Sequence, residues 1–441
     1  MKKEWLKLKN KFFDKAIENS RIFYKTSSDI VKWSFLSVFI GLLVGFGVGS
    51  ALILLELAID FANINNPFNF NLYILLPFIM GLSSLIIHKT FKEAAGDGTE
   101  EMVRSAVYND KKLNIFSFFI KQLATYLTIT FGGSAGKEAP AAQMGAFFSL
   151  IVAKIMHVGH AERIVIIIAG VSAGFAVVFG APIAAGFFAL EALFAGKILY
   201  RVLVPSFVSS FVAYWSMHIL NVEYIYHPIF IGLVPDLWEL LNLIKAVLAG
   251  LFFGIVSYVV IAAMNLTNIF AKKNIANPFF KGVIGGIILI FMILLFGEKY
   301  LGLGLESINA AFSASSTFHW YDPLLKTLFT SITLGFGGSG GFVTPIFFIG
   351  ATAGNFFAHF TDANIPLYAA LGFVSILAGS TNSPIAAIIL AAELFGIEAA
   401  HFAAVTATIS YLTSSKKSVF APEIIETIEV KFKKHIESKG K

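Results

Sequence analysis

The sequence predicts an all-α, polytopic membrane protein built from two homologous halves. Three observations predict it: a shortage of charge, recurring apolar stretches of bilayer length, and two pairs of internal repeats in the same order. Of 441 residues, 57% are hydrophobic and only 14% are charged, with a mean hydropathy of +0.77. A soluble globular domain carries roughly 25% charged residues. A helix crossing ~30 Å of hydrocarbon needs about 20 apolar residues. Stretches near that length cover residues 35–59, 72–87, 164–178, 243–264 and 283–296.

Residues 1–33 are basic and too polar for the apolar region of a secretory signal. Trp5, Leu8, Phe12 and Phe13 interleave with lysines there. That pattern fits a helix lying on the membrane surface and equally an ordinary cytosolic helix capping the fold. The tail, residues 416–441, carries Lys416, Lys417, Lys431, Lys433, Lys434, Lys439 and Lys441. Basic ends are retained on the cytoplasmic side, so both termini are expected inside the cell, with the protein in the inner membrane. The net charge of +6 sits largely in these ends and reads as topology, not as nucleic-acid binding. The chain has no cysteine, which excludes disulfides and thiolate metal sites.

Residues 131–140 read FGGSAGKEAP and residues 336–345 read FGGSGGFVTP. Each proline is followed five positions later by Gly-Ala, at Gly145-Ala146 and Gly350-Ala351. A second pair reads APIAAGFFALEALF over residues 181–194 and SPIAAIILAAELF over residues 383–395. In both, a glutamate stands nine positions after the proline, as Glu191 and Glu393. The two pairs are displaced by 205 and 202 positions. Their shared order and near-equal displacement divide the chain into a first membrane repeat, 34–225, and a second, 226–415. Carriers built from such halves place the substrate near the midplane, where the halves meet.

Glycine-rich stretches ending in proline make poor helix interiors, so each repeat contains a break. A break at membrane depth must line a cavity or be buried. Helices that start there present free N–H groups and positive dipole ends. Two such openings converging on one spot favour an anion, without a full charge that would hold it too tightly for release. The plainer alternative is that the glycines serve close helix packing. Glu138 lies inside the first break. A bare carboxylate there is costly, and burial makes its protonation accessible. Beside an anion path it takes the anion's place when charged and withdraws when protonated, which makes it a gate and a candidate proton carrier. The alternatives are that Glu138 simply pairs with Lys137, or that Lys137 neutralises the pocket entrance.

Residues 136–140, Gly-Lys-Glu-Ala-Pro, resemble the G-[RK]-E-G-P signature of the CLC family of chloride channels and halide/proton antiporters. Residues 340–345 resemble its G-G-x-F-x-P motif, and Gly96-Asp97-Gly98-Thr99 resembles its G-S-G-I-P segment. Lys121, 17 positions before Glu138, also resembles the family in its placement. The resemblance covers residues 34–425. It implies an inverted repeat of about 17–18 tilted and interrupted helices, and a homodimer with a pore in each subunit. It further implies an anion held by amides of Phe342 and Val343, by the first motif (here Asp97 and Gly98, with Gly136 and Lys137 nearby), and by a C-terminal tyrosine. Glu138 falls on the family's external gate. No cofactor is implied, and the tail at 416–441 is expected to be cytoplasmic, without regulatory CBS domains.

Several positions depart from the family pattern. Asp97 replaces a serine, putting an acceptor-only carboxylate where a hydroxyl donor is expected. Phe420 falls at the tyrosine, and Ala139 replaces a glycine. Glu191 matches the first glutamate of the family's pair, but the second, which takes up internal protons in exchangers, is Ala192. These departures imply a passive channel or a different proton route. A fluoride-exporting branch also lacks that second glutamate, and Gln143-Met144-Gly145, residues 188–191 and residues 343–355 resemble it. Phe347 and Phe348 fit a small hard anion through their positive ring edges, although 47 phenylalanines make such pairs common. The Ala-Pro after the gate argues against that branch. The expected partners are chloride or a similar halide, fluoride as the alternative, protons, lipid and a second copy of the chain.

Rival classes find less support. The nine histidines are scattered, and His157 with His160 lacks a third metal ligand. No motif of a hydrolase, metalloprotease or nucleotide-binding loop occurs, so an enzyme is not expected. Glu56, Asp60 and Asp97 are too isolated for the carboxylate rings of a cation channel.

Overall fold

The computed structural model describes residues 2–64, 71–90, 115–158, 160–193, 200–222, 235–237, 239–414 and 418–419. Among them are fifteen α-helices. The first half contains α1 (Lys2–Ile64), α2 (Leu76–Thr90), α3 (Ile115–Thr130), α4 (Glu138–Ile155), α5 (His160–Phe179), α6 (Pro182–Leu193) and α7 (Tyr200–Ile219). The second contains α8 (Leu240–Asn274), α9 (Pro278–Phe296), α10 (Leu305–Ala311), α11 (Tyr321–Gly335), α12 (Val343–Thr361), α13 (Ile365–Thr381), α14 (Pro384–Phe395) and α15 (Ile397–Thr413). No strand occurs among the described residues, only one isolated bridge between Gly136 and Gly341.

Composition and local caps explain the elements. The five apolar stretches lie in α1, in α2 with the 3-10 turn before it, and in α5, α8 and α9. No proline interrupts α1, so it runs unbroken through the boundary expected at residue 33. Asn277 caps α9 by accepting from Phe279 N at 2.9 Å, with Pro278 in its first turn. Asn364 caps α13 by accepting from Leu367 N at 2.9 Å. Such caps satisfy amides that a helix start leaves free. Six helices are long and apolar enough to cross a membrane, among the described residues.

The halves repeat one packing scheme: α1 with α8, and α3 to α7 with α11 to α15. Helix α4 crosses α5 where a Cβ at Gly145 would meet the Gly170 carbonyl, and α12 crosses α13 in the same way at Gly350 and Gly372. Small residues at these crossings let the backbones approach. The centre is buried and the rim apolar: 89% of the apolar window in α5 is buried in protein, against 33% in α9. Outward residues of α9 such as Phe291 and Leu294 are exposed, as a lipid-facing surface requires.

Candidate functional site

The site begins with two identical helix endings. Gly132 closes α3 and Gly337 closes α11, at φ +94° and +105°, a conformation that glycine adopts at little cost. Gly133 N donates to Thr128 O at 2.8 Å, and Gly338 N donates to Thr333 O at 2.8 Å, the bond that caps a helix C-terminus through a left-handed residue. Each loop is then bonded to the other half. Ser134 N donates to Thr333 Oγ1, and Ser339 N donates to Thr128 Oγ1, both at 3.1 Å. The Ser134 hydroxyl pairs with Thr330 and the Ser339 hydroxyl with Thr125, both at 2.9 Å.

The loops meet at Gly136 and Gly341, which exchange amide hydrogen bonds of 2.7 and 2.8 Å. Helix α4 starts at Glu138 and α12 at Val343, so two N-termini converge and their helices run apart, as an inverted repeat requires. Glu138 is fully buried there. Its Oε1 accepts from the Thr344 hydroxyl, and the amides of Glu138 and Thr344 face the carboxylate. Its Oε2 has no hydrogen-bond partner among the described residues. A side chain on Gly136 would meet that oxygen, so the glycine leaves room for it. The carboxylate thus sits at the positive ends of two helices, where an anion is stabilised. Lys137, one residue earlier and nearly buried, faces both Glu138 and Glu56 of α1.

The structure brings Gly136, Lys137, Glu138, Phe342 and Val343 together. Asp97, Gly98 and Phe420 lie outside the described residues, as does the lysine-rich tail. Lys121 is buried on α3 and lines a cavity that also touches Phe342. Glu191 has another setting: its Oε2 accepts from Ala386 N at 2.7 Å and its Oε1 from Ile385 N at 3.3 Å. Glu393 does the same for α6, accepting from Ala184 N at 2.7 Å and Ile183 N at 3.1 Å. Each half therefore caps a helix of the other. Phe347 stacks on Phe373 with centroids 3.9 Å apart, inside an aromatic core. Phe348 packs on Tyr300, and the Lys326 ammonium lies 5.0 Å from its ring centre.

Sequence reading missed Thr344 and Lys326. Lys326 is fully buried on α11 and donates to Tyr300 O at 3.1 Å and Gly302 O at 2.9 Å. Adding the repeat displacement to Lys121 would have found it. Thr344 sits in the second motif, and its reach across to Glu138 needed the folded chain.

Comparison with known proteins identifies the family. The family model described as voltage gated chloride channel matches residues 76–415. The chain is 31% identical over 399 residues to a chloride/fluoride channel protein of Pseudomonas syringae pv. tomato, covering 89% of this chain and 86% of that one. A crystal structure of a CLC-type fluoride/proton antiporter superposes with a TM-score of 0.81 at 28% identity, covering 88% of this chain and 96% of the other. A slow cyanobacterial Cl-/H+ antiporter, at 20% identity, shares the fold with a TM-score of 0.72, covering 91% and 98% of the two chains. The chain belongs to the voltage-gated chloride channel (CLC) family and to its class of membrane anion transporters.

Proposed function

Taking that membership as the premise, we propose that the chain moves chloride or a similar small halide through a pore in each subunit of a homodimer, with Glu138 as the gate. It does so as a transporter, not an enzyme, in the inner membrane with both basic ends cytoplasmic. The observation that carries this reading is the Gly136–Gly341 pairing, which aims two helix N-termini at the Glu138 carboxylate. A charged carboxylate competes with a halide for that seat. Protonation removes its charge and frees the seat, so flux rises as pH falls. Ala192, where exchangers of the family carry a second glutamate, supports a flux with weak or absent proton coupling.

The test is chloride and fluoride efflux from liposomes, side by side, with and without a proton-permeable ionophore. With the membrane potential shunted by potassium and valinomycin, halide flux that moves no protons, and survives in Glu138→Gln without its pH dependence, supports the reading. Unchanged pH dependence in that variant refutes the gate. A second reading, fluoride/proton exchange, is favoured by similarity to the fluoride/proton antiporter. It requires protons driven uphill by a fluoride gradient, which the same assay measures.

A further inference from the structure

Residues 299–304, between α9 and α10, lie against the loop that leads to Glu138. Two ties hold this strap to the second half. Lys326 donates to Tyr300 O at 3.1 Å and to Gly302 O at 2.9 Å. Asp322, 1% exposed in the first turn of α11, accepts at Oδ1 from the Tyr300 hydroxyl at 2.6 Å and from Lys299 at 2.7 Å. Its Oδ2 accepts from His319 N at 2.7 Å. The hold on the first half is weaker. Gly302 N donates to Gly132 O at 3.5 Å, long for a hydrogen bond. Beside that bond, Leu303 joins Leu55 of α1, Ile129 and Ala135 in a small buried cluster set apart from the main core. Gly302 and Gly304 bracket Leu303 at φ +50° and +72°, so the leucine sits between two positions where the chain bends at little cost.

The strap thus belongs to the second half and meets the first along an apolar seam. The residue after Leu55, Glu56, faces Lys137 beside the gate. With the basic start of α1 in the cytoplasm, Leu55 falls toward the outer end of its apolar window, Val31–Ala62. The seam therefore stands on the outer side of Glu138. We infer that Leu303 is a second barrier to the halide, in series with Glu138, and that Asp322 is the positioning residue that keeps it seated. An apolar constriction stops an ion by excluding its water. Protonation of Glu138 frees the seat at the junction, and the seam must also part before the ion passes outward. This inference rests on the reading of the chain as a halide transporter and adds a barrier to its path.

The chain has no cysteine, so introduced thiols react alone. In Leu55→Cys/Leu303→Cys, a short bis-methanethiosulfonate applied before reconstitution should bridge the seam, as mass spectrometry reads. The bridged protein should lose halide flux from liposomes on the acid side, where Glu138 does not block, and regain it with dithiothreitol. Each single variant treated alike should keep its rate. A bridge that leaves flux unchanged, or thiols that are labelled singly without bridging, overturns the barrier. Asp322 is tested by how fast Leu303→Cys alone reacts with a monofunctional reagent in detergent. Adding Asp322→Asn should speed that reaction about fivefold, because charge-assisted hydrogen bonds are lost. Leu289→Cys, fully buried on α9, should react no faster with Asp322→Asn than without it. Equal rates at Leu303→Cys, or a matching rise at Leu289→Cys, overturn the positioning role. If the parent moves no halide at all, the transport reading fails, and the labelling rates still decide whether Asp322 seats Leu303.

Discussion

The loop that opens α4 and the loop that opens α12 share a hydrogen-bond frame and differ in what they aim at the centre. Thr125, Thr128 and Ser134 in the first half stand where Thr330, Thr333 and Ser339 stand in the second, and they bond reciprocally. At the junction itself Lys137 stands opposite Phe342, Glu138 opposite Val343, and Ala139 opposite Thr344. The frame must be two-fold, because two helix starts make a stronger anion seat than one. The acid must be single, because a second carboxylate on the same seat would repel the first. Duplication supplied the geometry and divergence supplied the single carboxylate. The paired lysines differ likewise: Lys326 is sealed by two carbonyls, whereas Lys121 lines a cavity.

Breaking the asymmetry should have the largest effect. As the Glu138 carboxyl ionises, the parent's flux is expected to fall by up to about tenfold per pH unit. Glu138→Gln should hold the acid-side rate at every pH, and stopped-flow efflux across a pH series checks this. The lysine pair comes next. Lys326→Met leaves the Tyr300 and Gly302 carbonyls without a donor and should cost about 2–3 kcal/mol of stability, read as a lower Tm in detergent. Lys121→Met should lower halide flux more than Lys326→Met does; equal flux losses would dissolve the distinction. The glutamate caps are expected to be equivalent, Glu191→Ala and Glu393→Ala each costing about 1–2 kcal/mol. Loss of flux in the first alone would assign Glu191 a part in transport. Smallest are Ser134→Ala and Ser339→Ala, about 1 kcal/mol each, with similar Tm shifts if the frame is truly symmetric.

Much of this was legible in the sequence for a physical reason: glycine and proline announce helix breaks, and repeated breaks at one displacement announce a repeated fold. The convergence of the two openings followed from where unsatisfied amides can survive in a bilayer. What stayed hidden were contacts between halves, such as Thr344 on Glu138, Glu191 on α14 and Ser134 on Thr333. They join residues about 200 positions apart, and nothing local marks the partner. Phe347 and Phe348 suggested an anion contact by type alone, and the stacking of Phe347 on Phe373 and the edge-on packing of Phe348 against Tyr300 give each a packing role that the sequence did not signal.

The exchanged caps also bear on how the molecule is made. When the ribosome has delivered the first repeat, the start of α6 lacks its acceptor, because Glu393 has yet to be synthesised. The early half must wait in the bilayer, incomplete, until the late half arrives. Two separately expressed fragments split near residue 230 should therefore each be degraded alone and mature only when produced together.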